Sequence, residues 1–190
     1  MAQPLSKQSQ LSLGDFLAWE NAQETRNEFC RGEVFAAAGA RRVHGLVAGN
    51  LSVALKVHLK GTPCRAFGVS LQVQVGNEAL FYPDVFVTCD AQDLKSDRVF
   101  RSPSLIVEVL SDSTQAYDRG LKFTAYRQLA SLQEYALIDP DSRRVEVYRR
   151  NERQNFELID QTGQAELVLD SVGLRLAMAE VFDGVEEPAG

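Results

Sequence analysis

The sequence predicts an α/β or α+β fold in which a mixed β-sheet carries helices on its faces. Apolar residues recur at a spacing of three to four from Val43 to Lys60, as they do on one side of a helix. The segment Val69–Val75 alternates apolar and polar residues, which is typical of a strand with one wet face. The run Leu105–Leu110 is apolar apart from one carboxylate, which indicates a strand buried in the middle of a sheet. Because helical and strand patterns alternate along the chain, we expect packed layers around one core.

The length and composition fit one compact domain. The chain has 190 residues, of which 45% are hydrophobic, and a core of that size needs no second domain. The sequence contains no internal repeat and no Pro/Gly-rich linker. We expect a flexible N-terminus over residues 1–10, one domain over residues 11–183 and a flexible acidic tail over residues 184–190.

The first third of the chain predicts a helix, a hairpin and a longer helix. Ser12 is the expected N-cap of a short helix over LGDFLAWENA. Arg31 and Gly32 form the expected turn between two short strands in EFCRGEVFAAAG. The helix that begins near Val43 should end before Gly61-Thr62-Pro63.

The middle of the chain predicts strands. Gly76-Asn77 turns the alternating segment into a second strand over Leu80–Val87, in which Pro83 indicates an edge or a bulge. A polar, exposed loop is expected over Thr88–Pro103, ahead of the buried strand Leu105–Leu110.

A helix and three strands are expected in the remainder. Capping side chains at Ser111–Thr114 precede a helix that runs through Gln128. YALID, RRVEVYR and FELID are short strand candidates separated by turn residues. A last helical turn is expected near Met178–Phe182.

The formal net charge of -6 argues against simple nucleic-acid affinity, because a surface that neutralises phosphates is normally basic. Of the 26 acidic and 20 basic residues, eight acidic and one basic lie from Gln154 to Gly190. The rest of the chain is therefore near neutral. Its acids are candidate ligands of a cation, whose charge would reverse the local sign.

Cysteine usage and hydropathy indicate a soluble, cytoplasmic protein. Cys30, Cys64 and Cys89 are odd in number and lack metal-ligand spacing, so we expect reduced thiols, with Cys64 and Cys89 as packing residues. The N-terminus lacks the apolar run of a signal peptide. No stretch approaches the roughly 18 uninterrupted apolar residues of a membrane span.

Two carboxylates in apolar strands suggest a metal site. Glu108 interrupts LIV-E-VL, where desolvation costs several kcal/mol unless a cation or a donor compensates. Asp84 lies between Pro83 and an apolar run in another strand. Neighbouring strand carboxylates suit Mg²⁺, which commonly takes one or two carboxylates together with waters and phosphate oxygens. A buried carboxylate neutralised by an internal arginine or by backbone donors remains the alternative for Glu108.

A helical triplet follows the strand that carries Glu108. Asp118, Lys122 and Tyr126 are spaced by four and therefore share a face. If that face looks toward the strand ends, the Lys122 ammonium can stabilise charge on a transferring phosphoryl group. The alternative is a surface ion pair of Asp118 and Lys122, worth about 0.3 to 0.5 kcal/mol.

The ordered motifs resemble a known family. In chain order they are EFCRGEVF, YPDV, IVEVLS, DRGLKFTAY, EYALIDP and VEVYR. Together with a helix opening near His44, they resemble the Uma-type family of endonucleases, in the PD-(D/E)XK superfamily, from about Leu11 to Val181.

The resemblance implies a restriction-endonuclease-like core and an endonuclease that depends on Mg²⁺ or Mn²⁺. It implies that Asp84 and Glu108 bind the metal, that the backbone carbonyl of Val109 adds a ligand and that Lys122 is the catalytic lysine. In the superfamily's commonest pattern the lysine lies two residues after the second acid, where this chain has Leu110. The Uma-type family is similar to this chain in placing its lysine on the following helix. The resemblance also implies a nucleic-acid substrate, with DNA favoured, and a homodimer.

Several residues are expected in auxiliary roles. Asp118 and Tyr126 share the face of Lys122. His44 is a candidate for contacting a phosphate or supporting the site, with a helix-capping or surface residue as the alternative. The resemblance places a glutamate near Glu28 and Glu33, and we interpret both as solvated hairpin charges, with Glu33 a candidate third acid. Five arginines fit either a nucleic-acid backbone contact or a solvated strand face: Arg143, Arg144, Arg149, Arg150 and Arg153.

Two other classes of function stay open. A protein of the same fold that does not cut would act as a nucleic-acid-binding or protein-interaction module. A scaffold protein would use the acidic tail to bind a partner. Intact Asp84, Glu108 and Lys122 favour the enzyme.

Overall fold

The structure is a computed structural model that describes residues 4–7, 11–37, 41–68 and 70–186. Its strands are β1 (Pro4–Lys7), β2 (Asn27–Cys30), β3 (Glu33–Ala36), β4 (Arg65–Gly68), β5 (Gln72–Val75), β6 (Ala79–Phe81), β7 (Val85–Thr88), β8 (Val99–Phe100), β9 (Pro103–Val109), β10 (Glu134–Asp139), β11 (Arg144–Arg150), β12 (Phe156–Asp160), β13 (Glu166–Leu169) and β14 (Leu174–Ala177). Its helices are α1 (Leu13–Glu20), α2 (Arg42–His58), α3 (Gln115–Tyr117), a π-helical segment (Asp118–Lys122), α4 (Phe123–Tyr126) and α5 (Met178–Val181), with 3₁₀ turns at Asp93–Lys95 and Asp170–Val172. None of the described helices has the length and hydropathy that a membrane span requires.

The strands form two six-stranded sheets and one separate hairpin. The N-terminal sheet has the order β1-β3-β2-β6-β5-β8, and the central sheet has the order β12-β11-β10-β9-β7-β4. Strands β9 and β10 run parallel, whereas the other neighbours in the central sheet are antiparallel. Helices lie against a mixed sheet, so the predicted fold class is confirmed.

The central sheet is covered on both faces, which sets the direction of each side chain in β9. On one face, Leu51 and Leu55 of α2 pack with Val107 in one apolar cluster. On the other face, Ile106 packs with Tyr126 of α4 in a second cluster that also includes side chains of the N-terminal sheet. Because side chains alternate along a strand, the side chain after Val107 faces the second cluster. That position is Glu108.

The predicted helices form close to their expected places. Ser12 caps α1, since its hydroxyl accepts the backbone N–H of Asp15 at 3.1 Å. Helix α2 spans most of the predicted helix and ends before Gly61. Helices α3 and α4 and the π-helical segment occupy the region predicted after Ser111–Thr114, and α5 matches the last predicted turn.

The single strand predicted over Leu80–Val87 is wrong. Strand β6 belongs to the N-terminal sheet and β7 to the central sheet, so the chain changes sheets at residues 82–84. Pro83 has no N–H for a strand ladder, which ends the first strand there. Asp84 therefore directly precedes β7, where the chain passes from one sheet to the other.

Short strands escaped prediction. The alternating segment is shorter than expected, because β5 begins at Gln72 after Ser70, whose φ is +88°. Strands β4 and β8 and the hairpin of β13 and β14 were not anticipated, since segments of two to four residues carry too little periodicity. Strands β4 and β8 are stabilised by pairing with the distant strands β7 and β5, whereas β13 and β14 pair with each other.

The described residues near the two chain ends form contacts with the rest of the fold. The backbone of Pro4–Lys7 pairs with β3 as an edge strand. Within residues 184–186, Val185 is buried, and its carbonyl accepts a hydrogen bond from Arg143 at 3.0 Å. The predictions for residues 1–3, 8–10 and 187–190 lie outside the described residues.

Cys64 and Cys89 form a disulfide, so the expectation of reduced packing residues is wrong. Arg65 pairs with Thr88 at the end of the β4–β7 ladder, and the two cysteines follow opposite each other. This proximity comes from strand pairing, which sequence spacing does not reveal. Cys30 is a buried free thiol. The cysteines therefore no longer support a reducing compartment.

Candidate active site

Asp84 and Glu108 lie opposite each other on neighbouring antiparallel strands. Val85 pairs with Val107, and continuing this register by one residue places Asp84 opposite Glu108. Opposed residues of an antiparallel pair direct their side chains to the same face. Glu108 is 2% exposed, and the Asp84 side chain is 14% exposed. The two carboxylates therefore share a largely dry site.

Lys122 reaches this site from the helical stretch that follows β9. Its Nζ lies 3.1 Å from Glu108 Oε1 and 3.3 Å from Asp118 Oδ1. Asp118 and Lys122 are the first and last residues of the π-helical segment, and both are buried. Single π-helical turns inside helices are frequent at functional sites. The interpretation of this pair as a surface ion pair is therefore wrong.

The buried charges perturb one another. Burial raises the pKa of Asp84 to about 6, although His44, the Val109 N–H and Lys122 act to lower it. Burial also raises the pKa of Glu108 well above its usual range, against the lowering effect of Lys122. Burial acts to lower the pKa of Lys122, but the surrounding carboxylates outweigh it and hold that pKa well above its usual value. Lys122 is therefore protonated. Its charge offsets only part of the effect of burial on Asp84 and Glu108.

Three further contacts fix the two acids. His44, in the first turn of α2, places its Nε2 at 2.9 Å from Asp84 Oδ2. The backbone N–H of Val109 donates to the same oxygen at 2.8 Å. The Tyr126 hydroxyl donates to Glu108 Oε1 at 3.4 Å. His44 therefore contacts the site rather than only capping a helix.

Glu28, and not Glu33, is the additional acid at this site. Glu28 is buried, and its Oε1 lies 3.1 Å from Lys122 Nζ. Glu33 pairs with Cys30 next to the hairpin turn, two residues farther along the strand from the site, and it is half-buried. The interpretation of Glu28 as a solvated hairpin charge is wrong because β2 lies inside the N-terminal sheet, between β3 and β6.

The sequence carries a weak signal that Glu28 is buried. Glu28 lies beside the apolar residues Phe29 and Cys30, and the structure shows both of these to be buried. The central position of β2 depends on pairing with β6, about fifty residues away, which no local pattern reports.

A cavity of about 170 Å³ opens onto these carboxylates. Glu28, Asp84, Glu108, Asp118 and Lys122 all line it. The rest of its polar wall consists of Arg41, His44, Tyr82, Ser111, Ser113, Thr114 and Tyr117. A ligand can therefore approach both acids and the lysine together.

The donor chemistry fits a hard divalent ion. His44 and the Val109 N–H both bind Oδ2 of Asp84, and Lys122 and Tyr126 both bind Oε1 of Glu108. In the part of the chain that the structure describes, no group donates a hydrogen bond to the other oxygen of either acid. That same part of the chain contains no group of three or more His, Cys, Asp or Glu side chains arranged around a metal position. Mg²⁺ commonly uses only one or two carboxylates and completes its shell with water, so two acids are sufficient.

The arginine run has a structural explanation in two of its members. Arg149 Nε donates to buried Glu134 at 2.7 Å. Arg150 donates to the carbonyls of Leu132 and Leu129 at 2.7 and 2.8 Å. These two side chains tie β11 to β10 and to the loop that precedes β10. Both therefore have a structural role, and neither of the two predicted roles, a nucleic-acid backbone contact or a solvated strand face, applies to them.

Comparison with known proteins places this chain in a family. Two uncharacterized proteins of Synechocystis sp. are similar to this chain. The first is 35% identical to it, over 92% of this chain and 93% of the relative. The second is 32% identical to it, over 81% of this chain and 89% of the relative. A solved structure described as "a putative nuclease belonging to DUF820 from Anabaena variabilis ATCC 29413" has a TM-score of 0.77 and 21% identity, over 93% of this chain and 100% of that chain. This likeness supports the fold. A family model described as "Putative restriction endonuclease" matches residues 13–179. With a match over most of its length, the chain belongs to the Uma2 family.

Proposed function

We propose that the chain is an endonuclease that hydrolyses phosphodiester bonds of DNA with Mg²⁺ or Mn²⁺. One observation carries the proposal. Asp84 and Glu108 lie opposite each other and line the same cavity, and the Lys122 ammonium is 3.1 Å from Glu108. The membership of the Uma2 family supports the same reaction class.

Asp84 and Glu108 would hold the ion, with the Val109 carbonyl as a further ligand. A bound divalent ion supplies Lewis acidity toward the phosphodiester and lowers the pKa of the attacking water. The donor set fits this role because both acids are poorly compensated and each has one oxygen without a protein donor in the described residues.

The chain's own residues orient the reacting groups. Lys122 keeps its proton on Nζ and stabilises negative charge on the phosphoryl group in the transition state. His44 and the Val109 N–H fix Oδ2 of Asp84, and the other oxygen has no hydrogen-bond donor among the described residues. Tyr126 restrains Glu108 in the same way. Arg41, the N-cap residue of α2, also lines the cavity, where it forms an ion pair with Asp141. Its guanidinium would have to exchange this partner to bind a phosphate outside the reacting bond.

A homodimer is part of the proposal, because two copies would cut both strands of a duplex. Analytical ultracentrifugation of the purified chain tests it, and a monomer at the concentrations that support cleavage would refute it.

Plasmid cleavage tests the proposed reaction. Wild-type protein should nick or linearise supercoiled DNA when Mg²⁺ or Mn²⁺ is present and should not do so in EDTA. Asp84→Asn and Lys122→Met should each lower the rate constant about 10²- to 10³-fold. Lys56→Met is the matched control, since Lys56 is an exposed lysine on the outside of α2.

The outcomes separate the classes of function. Cleavage that persists in Asp84→Asn comes from a contaminant or another site and refutes the proposal. Wild-type protein that binds DNA without cutting under either ion is a silent nuclease-fold module instead.

A further inference from the structure

We infer that Glu28 is a positioning residue that retains the Lys122 ammonium at the site when a divalent ion occupies Glu108. This inference rests on the proposed function. It assigns the four acids around the lysine to two pairs, with Asp84 and Glu108 for the ion and Glu28 and Asp118 for Lys122.

The first observation is that the Lys122 ammonium contacts three carboxylates. Lys122 Nζ lies 3.1 Å from Glu28 Oε1, 3.1 Å from Glu108 Oε1 and 3.3 Å from Asp118 Oδ1. All four side chains are at most 7% exposed, so water compensates them little. One positive charge cannot balance three negative charges. The cluster of Lys122 and its three carboxylates is therefore short of positive charge.

The second observation is that Glu28 is anchored independently of the proposed metal ligands. It belongs to the N-terminal sheet, whereas Glu108 belongs to the central sheet. Its Oε1 accepts the backbone N–H of Tyr82 at 2.9 Å. The Tyr82 hydroxyl in turn donates to Glu20 at 3.1 Å, and Glu20 accepts the backbone N–H of Asn27 at 2.8 Å. This chain of bonds fixes Glu28 where it is.

Competition for Glu108 follows from this geometry. A divalent ion bound at Glu108 would share this carboxylate with the Lys122 ammonium, so each cation would weaken the binding of the other. Glu28 and Asp118 offer the ammonium other partners within 3.3 Å. Lys122 would therefore stay at the site while Glu108 binds an ion. Without Glu28, the ammonium depends more on Glu108 and competes with the ion.

A double-mutant cycle on Mn²⁺ affinity tests the inference without relying on cleavage. The four proteins are the wild type, Glu28→Gln, Lys122→Met and the double variant, and titration calorimetry measures Mn²⁺ binding to each. Gln at position 28 keeps an oxygen that accepts the Tyr82 N–H, so the strand should fold. Glu78→Gln is the matched control, because Glu78 is exposed and pairs only with Arg31 among the described residues.

We expect Glu28→Gln to lower Mn²⁺ affinity to an extent that depends on whether Lys122 is present. Glu28→Gln should weaken Mn²⁺ binding about tenfold in the wild-type background and should change it several-fold less in the Lys122→Met background. Lys122→Met alone should tighten Mn²⁺ binding. An equal loss in both backgrounds would overturn the inference, since Glu28 would then act on the ion directly.

A crystal structure of wild-type protein with Mn²⁺ gives a test that needs no variant. Lys122 Nζ should remain within hydrogen-bond distance of Glu28. An ammonium bound to Glu108 alone, or withdrawn from Glu28, would overturn the inference. If wild-type protein binds Mn²⁺ and cuts DNA while the cycle shows no coupling, only the role of Glu28 fails. If wild-type protein and Asp84→Asn bind Mn²⁺ equally, the proposed function fails and the inference fails with it.

Discussion

Replacing Lys122 with methionine should destabilise the protein strongly, because it removes the one ammonium among three buried carboxylates. The substitution keeps most of the side-chain volume, so a packing cavity contributes little. Removing one partner of a buried ion pair typically costs about 3–5 kcal/mol. Glu28, Glu108 and Asp118 all lie within 3.3 Å of the ammonium, so we expect a loss in this range at pH 7.

The loss should shrink as the pH falls. Burial raises the pKa of Glu108 in the folded protein well above its unfolded value. The folded state therefore binds this proton more tightly, and the free energy of unfolding falls as pH rises from the unfolded pKa to the folded pKa. Without the lysine the folded pKa rises further, so acidification from about pH 8 to about pH 5 should restore part of the lost stability.

Urea unfolding of wild-type protein and Lys122→Met across this pH range measures both effects. Lys56→Met is the control and should change the free energy of unfolding by less than about 0.5 kcal/mol, because Lys56 is exposed and methionine has a similar helix propensity. Equal stability of Lys122→Met and the wild type at pH 7 would refute the reasoning. It would mean that the carboxylates are neutral or solvated.

Further predictions address the other groups of the site and the fold. Mn²⁺ affinity should rise from about pH 5 to about pH 7, because burial raises the pKa of Asp84 to about 6 and the carboxyl has to lose its proton to bind the ion; calorimetry at several pH values checks this, and a constant affinity contradicts it. Cys64→Ser should lower the free energy of unfolding by about 2–4 kcal/mol without reductant, because it breaks the bond to Cys89; equal unfolding midpoints without reductant would show that the disulfide does not form. Glu33→Gln should leave plasmid cleavage within about twofold of the wild type, whereas Glu28→Gln should slow it about tenfold; equal losses would contradict the placement of the two glutamates.

Local patterns predicted the elements that carry strong periodicity or a clear cap. Helix α2 is long enough for its apolar stripe to stand out, and Ser12 is a direct N-cap. Glu108 was conspicuous because a single carboxylate interrupts an apolar strand, and β9 is indeed the middle of a sheet. These features depend on nearby residues alone.

Long-range pairing decided what the sequence did not show. The break at Pro83 was noted, but nothing local indicates that the strands on its two sides belong to different sheets. The burial of Glu28 depends on β6, and the Cys64–Cys89 bond depends on the β4–β7 ladder. The main residues of the site were predicted from motif order. The place of Glu28 in the site could not be predicted, because it depends on how the two sheets pack together.

Mn²⁺ titration into wild-type protein, Asp84→Asn and Glu108→Gln tests most directly whether the two opposed carboxylates form a metal site. We predict saturable binding to the wild type and a loss of about tenfold or more in affinity for each variant, with circular dichroism showing that both variants are folded. Wild-type affinity in both variants would contradict the account, because the ion would then bind somewhere else.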